Sequence, residues 1–467
     1  MAVRKFTLED QLWFAKASGD VNPIHIDPIY ARRSQFGEVI VHGIHLVLWS
    51  LNELAAITNT PLNITALEVS FLKPVKLSQD VVCVVETKNI CEYRIRLMVG
   101  DLIVTSLQVK ASSCKSPFYF SFRESEKIDE LPSEFNYDDE EHFINPSLFD
   151  KSIAIKYPRL PYVLSEAAML NLLAMTFIVG MKCPGLHSIF SSFNVVFADQ
   201  IEKSNLLAYR VSKYHERFSR LTIALHSSSM MGQIVAFIRP TLKRDFTMEA
   251  AQVMVKNMNF SGQRALIIGG SRGLGEITTK LLAAAGANIL FTYYKGEKEA
   301  AAVCDQINKP GVRFIMYDAS GMPSQLFTQA VTDFAPTHVY YYATPFIFST
   351  DKGKFNFESF VQFSSYYLKG FYNVFSLCSN TLQGVFYPSS TAIDEKVDTM
   401  IEYSCSKVAG EMLCDFLSKM NPAINIYQPR LPRLNTDQTQ TLIQVEEINT
   451  EKFILDQIHT FIQMERR

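Results

Sequence analysis

The sequence predicts two folded parts of different class: an α+β part over residues 1–245, and an α/β part over residues 258–467 built on a doubly wound parallel sheet. Three observations carry this prediction. An apolar helix followed by an alternating strand occurs twice in the first part, at an offset of 126 residues (Phe71 to Phe197). After Arg244 the sequence changes character, to a short apolar strand, a glycine-rich loop and a helix. A length of 467 residues gives room for about three domains at ~150 residues each, and an apolar share of 48% is ample for several cores.

Near the N-terminus stands Ser18-Gly19-Asp20-Val21-Asn22-Pro23-Ile24-His25, followed by Phe36-Gly37 and Val41-His42-Gly43. Asn22-Pro23 favours a turn and keeps its first residue out of the helical region. Asp20 and His25 are therefore expected to converge on one side of a loop instead of trailing along a helix. Gly43 starts an apolar run (Ile44, Leu46, Val47, Leu48, Leu51, Leu54) of helical length, which puts its N–H at a helix N-terminus. His42 and His45, beside and on that run, are expected to be packed, hydrogen-bonded histidines.

Those residues in that order resemble the signature of MaoC-like (R)-specific enoyl-thioester hydratases, which have the hot-dog fold. The resemblance implies that Asp20 and His25 are the catalytic pair, that Gly43 donates to the thioester oxygen, and that Asn22 supports the loop. An acid/base pair sharing one water suits syn addition or elimination of water, and an N–H at a helix N-terminus suits an oxygen that becomes enolate-like.

The repeat extends that expectation. Leu67–Val75 has a counterpart in Phe193–Ile201, and each leads into a further strand (Val81–Glu86, then Leu206–Val211). The acidic, polar stretch Glu124–His142 between them reads as a linker. Residues 1–123 are thus expected to be a catalytic hot-dog unit, 124–145 a linker, and 146–245 a second, non-catalytic unit: a double hot dog. The second unit lacks the Asp20–His25 motif but carries Val179–Ser188, a glycine- and proline-containing connection that includes His187. It either shapes the acyl pocket or only completes a core.

In the C-terminal part, Ala265–Ile268 reads as a strand, Gly269-Gly270-Ser271-Arg272-Gly273-Leu274-Gly275 as the loop, and Leu281–Ala285 as part of a helix, with a second strand at Asn288–Thr292. This is a Rossmann-type start. Gly269 allows the tight turn, Gly273 the close approach of a pyrophosphate, and Gly275 the packing of helix on strand, with phosphate at the helix N-terminus. The spacing of Gly269, Gly273 and Gly275 resembles the short-chain dehydrogenase/reductase family. Of three Tyr-x-x-x-Lys matches (Tyr209/Lys213, Tyr294/Lys298, Tyr403/Lys407), only the last lies downstream at the family's distance, with Ser390 thirteen residues earlier. The resemblance implies a catalytic Ser390, Tyr403 and Lys407. Lys407 would lower the Tyr403 phenol's pKa and hold the nicotinamide ribose. Ser271, Arg272 and Leu274 would join the glycines at the cofactor, and Asp318, after the strand Val312–Met316, would contact adenine.

The end of the second strand reads Thr292-Tyr293-Tyr294-Lys295, without the carboxylate that holds a ribose diol, and Arg272 sits in the loop. NADP(H) is the expected cofactor. Three departures from the family stand out: Tyr341-Tyr342-Ala343-Thr344 replaces Asn-Asn-Ala-Gly, Tyr367 occupies the place of the relay asparagine with Asn373 two turns on, and Pro429-Arg430 replaces Pro-Gly. The tail Glu451–Arg467 reads as an amphipathic helix docking on a neighbour.

Together the resemblances imply a bifunctional enzyme that reduces a 3-oxoacyl thioester and dehydrates the product, as in fatty-acid-like or polyketide-like biosynthesis. The thioester would be carried on CoA or an acyl carrier protein, by a homo-oligomer. Two rivals stay open: the oxidative direction, and a domain serving as a scaffold or carrier-protein docking module. A net charge of −2 without a basic block argues against nucleic acid, and no membrane span is expected because Ser165, Glu166 and Asn171 interrupt the longest apolar stretch. Eight scattered cysteines with no metal-like Cys-x-x-Cys point to a reducing, cytoplasmic setting and no metal.

Overall fold

The computed structural model describes residues 2–58, 60–120, 130–198, 206–239, 246–347, 354–436, 439 and 448–465. Parts of the expectations above lie outside the described residues: Asp199–Ile201, linker residues 124–129, boundary residues 240–245, and Arg466 and Arg467. The chain forms two compact units, one over Met1–Leu242 and one over Lys243–Thr439 and Val445–Arg467.

The first unit is one antiparallel sheet of ten strands: β1 (Ala2–Arg4), β2 (Leu62–Phe71), β3 (Val81–Asn89), β4 (Glu92–Val99), β5 (Leu102–Ser113), β6 (His142–Ile144), β7 (Ser188–Phe197), β8 (Leu207–His215), β9 (Arg220–His226) and β10 (Met230–Ile238). Their spatial order is β1-β3-β4-β5-β2-β7-β10-β9-β8-β6. Read outward from the centre, β2-β5-β4-β3-β1 is repeated by β7-β10-β9-β8-β6, so the weak sequence repeat is a repeat of topology. Glu68 of β2 pairs with Asn194 of β7, its own counterpart at the offset of 126, so the two halves meet about a local two-fold axis. His142–Ile144, inside the segment expected to be a linker, instead pairs with β8 as the edge strand β6.

Each half contributes one buried helix, Gly43–Thr58 and Glu166–Phe177, to a common core. The first is buried on almost every side, with Ile44, Leu46, Val47, Leu48, Leu51 and Leu54 packed beside the buried His45, Ser50 and Asn52. A helix of that kind has little face to give to water. Each of those apolar side chains stabilises the unit by roughly 1.5–3 kcal/mol, which fixes the position of Gly43 at the helix start.

The second unit is a parallel sheet of β11 (Arg264–Ile268), β12 (Asn288–Tyr293), β13 (Val312–Met316), β14 (His338–Tyr341), β15 (Gly384–Phe386) and β17 (Asn425–Tyr427), in the order β13-β12-β11-β14-β15-β17. A separate parallel ladder joins β16 (Ser389–Ser390) to β18 (Arg430–Leu431). The chain reverses its direction of winding between β11 and β14, and in such sheets ligands bind at the carboxyl ends of the strands beside that point. The tail helix Thr450–Glu465 packs its apolar face on its own unit. It buries Ile454, Ile458 and Phe461, and the Phe461 ring lies against Tyr340, Phe386 and Tyr427. Among the described residues no helix is long and apolar enough to cross a membrane.

Candidate active sites

In the first unit, helix Leu8–Ser18 ends at Gly19, whose φ of +68° turns the chain. Asn22 then caps a single helical turn, Pro23–Ile26, by accepting from the Ile24 N–H (3.2 Å), with Pro23 at the first position where its missing N–H costs nothing. His25 therefore sits on one turn of helix, not on an open loop as expected, and it still converges on Asp20. Asp20, His25 and His42 each bring a polar atom within 4.8 Å of the others. Gly43 starts its helix as expected, where the first N–H groups lack an acceptor within the helix.

The second half of this unit reaches directly into the site. The Thr176 hydroxyl donates to Asp20 Oδ2 (2.7 Å) and the Asn22 N–H to Oδ1 (3.3 Å). Gly180 lies so close that a Cβ there would collide with the Asp20 carboxylate. The Asn22 side-chain amide donates toward the carbonyls of Gly180, Gly185 and Leu186 (3.0–3.2 Å), so Asn22 ties the motif to the other half as well as supporting its own loop. A cavity opens beside Asp20 and His25, lined by Gly43, Leu46, Phe71 and Val75 from one half and Val179, Gly180, Ile189 and Phe190 from the other. Sequence reasoning missed Thr176 and Gly180 in these roles, and His187 does not line the cavity.

Burial pushes the Asp20 carboxyl up to about 7, against the opposing bonds from Thr176 and Asn22. Burial pushes His25 down to about 4, with the Arg239 charge acting in the same direction. His25 Nδ1 lies 2.8 Å from the Ile40 carbonyl, which can only accept. Nδ1 therefore carries the proton, and Nε2 presents a lone pair.

In the second unit, Gly269 turns at φ +83° with its N–H on the Thr292 hydroxyl (2.9 Å), and a Cβ at Gly275 would strike the Gly269 carbonyl. Gly273, at φ +57°, opens helix Gly273–Ala284 and has no atom within 4 Å of where a Cβ would stand. That open cradle at a helix N-terminus fits a dinucleotide's phosphates. Ser271 is buried and Arg272 half-buried at the helix cap, while Leu274 packs on the core. The nearest acidic residue past β12 is Glu297, which opens the next helix (Glu297–Ile307) and is bonded to Tyr293. Asp318 follows β13 and accepts from the Ser320 N–H and hydroxyl.

Ser390 ends β16, and helix Ile401–Met420 carries Tyr403 and Lys407 one turn apart, both buried. Tyr403 shares a hydrogen bond with Ser390. The expectation that Lys407 lowers the phenol is corrected: burial holds Tyr403 above its ordinary range, and the Ser390 bond alone opposes it. Lys407 Nζ donates to the Pro388 carbonyl (2.7 Å) and lies 4.0 Å from the centre of the Tyr367 ring, and burial pushes it down to about 7. Tyr367 is fully buried on a π-helical turn, Ser365–Gly370, with its hydroxyl 2.5 Å from Thr344 Oγ1. Asn373 is instead bonded to the Met322 sulfur. Of the other two Tyr–Lys matches, Tyr209 lies on β8, and Tyr294 is exposed after β12.

The family described as "MaoC like domain" matches residues 2–107, and that described as "short chain dehydrogenase" matches residues 263–427. The chain is 43% identical over 56 residues to L-rhamnose 1-dehydrogenase (NADP(+)) of Thermoplasma acidophilum, a stretch covering 12% of this chain and 22% of that protein. The match thus spans about a fifth of that relative's length. Similar solved structures include a short-chain dehydrogenase from Burkholderia cenocepacia in complex with NADP (24% identity, 38% of this chain and 77% of that one, TM-score 0.34). Another is a short-chain dehydrogenase/reductase from Serratia marcescens (19% identity, 42% and 89%, TM-score 0.38). The chain is a fusion of a MaoC-like domain with a short-chain dehydrogenase domain.

Proposed function

We propose that the protein is a bifunctional acyl-thioester enzyme. Its second unit reduces a 3-oxoacyl thioester with NADPH, and its first unit dehydrates the resulting 3-hydroxyacyl thioester to the 2-enoyl thioester. The acyl group is carried on CoA or an acyl carrier protein. Residues 1–123 and 142–245 are the two units of a double hot dog, the second beginning at strand β6 and joined to the first by 124–141, and residues 258–467 are the reductase. The observation that carries this reading is the convergence of Asp20 and His25 on an apolar cavity lined by both halves.

For dehydration, the His25 Nε2 lone pair takes the proton from the carbon next to the thioester, and the Asp20 carboxylic acid protonates the departing hydroxyl. A C–H and a C–O bond break, a C=C bond forms and water leaves. The proton gained by His25 returns to Asp20 within the pair. The Gly43 N–H faces the thioester oxygen as negative charge develops there. The apolar walls around Phe71, Ile189 and Phe190 take the acyl chain.

In the second unit the loop Gly269–Gly275 would hold the NADPH phosphates, Arg272 the 2′-phosphate, Asp318 the adenine and Lys407 the ribose. NADPH, when bound, supplies the hydride. Tyr403 gives its proton to the substrate carbonyl oxygen, and Ser390 bonds the same oxygen.

The test is a stopped assay of purified protein with NADPH and a short 3-oxoacyl thioester, following NADPH loss and products by mass. NADPH loss with appearance of the enoyl thioester is expected. Asp20→Asn should halt the sequence at the hydroxyacyl product. Hydration of a supplied enoyl thioester without any NADPH loss would remove the reductase half of the proposal.

A further inference from the structure

Behind the acid/base pair runs a line of buried polar side chains that the reaction above does not use. His42 and Gln11 are both fully buried. The His42 backbone N–H lies 3.1 Å from Gln11 Oε1, and His42 Nδ1 lies 2.9 Å from the same atom. A backbone N–H can only donate, so the Gln11 atom facing His42 is its oxygen, and Nδ1 must carry a proton. The other ring nitrogen, Nε2, lies 3.0 Å from the Asp20 carbonyl and 4.0 Å from Asp20 Oδ2. Both of those are acceptors when Asp20 is ionised. The ring is therefore set between acceptors on both sides, an arrangement that an imidazolium satisfies and a neutral imidazole does not. It also stacks on His25, centroid to centroid at 3.9 Å, so its position bears on both members of the pair.

Gln11 is held in turn. Its amide nitrogen faces His45 Nδ1 (3.4 Å), and His45 Nε2 lies 2.7 Å from the Tyr157 hydroxyl. The ionisable groups around His42 are Asp20 and His25 from the motif and His45 from its own helix, with Arg4, Asp10 and Lys156 farther out around His45. Burial and the neighbouring histidines oppose charge on His42, and the Asp20 carbonyl favours it.

We propose that His42 is a positioning residue that sets the charge of Asp20 by sharing a proton with it, and that Gln11 fixes the His42 tautomer. The inference rests on the acid/base reading of Asp20 and His25. When Asp20 loses its proton, His42 is the adjacent cation that holds the carboxylate; when Asp20 is protonated, His42 keeps only Nδ1–H and its Nε2 lone pair is left facing the Asp20 carbonyl, a mismatch that draws the proton back.

The test pairs two variants of the full chain with side-chain 15N NMR of histidine-labelled protein. In the native protein, His42 Nδ1 should stay protonated across the neutral range, assigned by loss of its signals in His42→Gln. Gln11→Glu places a carboxylate on Nδ1–H and should bring Nε2 to the protonated state as well. For hydration of a supplied enoyl thioester, the high-pH fall of kcat/KM should then move down by about one pH unit in Gln11→Glu and up by a similar amount in His42→Gln, the size of shift one opposite charge produces at this range. A native His42 protonated on Nε2 alone, or shifts in the same direction in both variants, would overturn the proposal. Absence of hydration by the native protein defeats the functional reading instead, and the NMR tautomer still decides this one. If Gln11→Glu fails to fold, the native spectrum and His42→Gln carry the decision.

Discussion

Gly180→Ala adds one methyl group in the half of the first unit that has no acid/base motif of its own. A Cβ at that position would stand 2.5 Å from Asp20 Cγ and 2.6 Å from Oδ2, and closer still to Oδ1. Neither Gly180 nor the carboxylate is at the end of a long flexible chain, and the Thr176 hydroxyl bond at 2.7 Å resists the movement. To bring its nearest oxygen back to an ordinary contact of 3.4 Å the carboxylate must retreat by more than about 1 Å, and a misplacement of that size costs on the order of 100-fold in rate. This corresponds to about 2.7 kcal/mol in the barrier. Overpacking of this kind also destabilises by about 1–3 kcal/mol, so thermal unfolding must be followed beside activity. The assay is enoyl-thioester hydration over a range of substrate concentrations. A fall confined to kcat, in protein that still unfolds cooperatively, is expected. Native kcat in a folded Gly180→Ala variant would refute the reasoning, because it would mean that the carboxylate need not lie where Gly180 admits it.

The pair should also give hydration a bell-shaped kcat/KM against pH, since the active form carries one proton on the pair, resting on Asp20 and passed to His25 when water is added, the reverse of its path in dehydration. Protonation of His25 removes activity below about 4 and ionisation of Asp20 removes it above about 7; a rate still climbing well above neutrality contradicts this. Tyr403→Phe should abolish NADPH consumption with a 3-oxoacyl thioester, while hydration of a supplied enoyl thioester stays at the native rate. Arg272→Glu should raise KM for NADPH about tenfold or more, the loss of one charge-assisted hydrogen bond, and leave KM for NADH nearly unchanged; equal effects on both cofactors would exclude a 2′-phosphate contact.

What could be read from the sequence was whatever is local. Asp20, Asn22 and His25 lie within one turn of chain, so their spacing fixes where they point, and the glycines of the Gly269–Gly275 loop declare their backbone angles and clearances. Thr176 and Gly180 carry no such mark. They reach Asp20 across more than 150 residues, through the meeting of β2 with β7, and that meeting was visible only as a weak repeat. The edge strand β6 was hidden because His142–Ile144 is short and follows an acidic stretch that resembles linker. The shift at Tyr403 was misread for a different reason. Helical spacing brings Tyr403 and Lys407 to one face, but it does not disclose that burial dominates the phenol, or that the ammonium turns to the Pro388 carbonyl and the Tyr367 ring.

The seam between β2 and β7 holds five facing pairs, Ala66–Ser70 against Val196–Ser192. A first half cut free of its twin would leave β2 as a bare edge, and such an edge recruits another strand. Its own copy would dock about a true two-fold, with Glu68 set directly against Glu68, and like charges so opposed are destabilising. Asn194 relieves that clash in the joined chain. Two linked copies need not be self-complementary, so each is at liberty to diverge. One carries Asp20 and His25, and the other lacks that motif and supplies the glycine that leaves room for the Asp20 carboxylate.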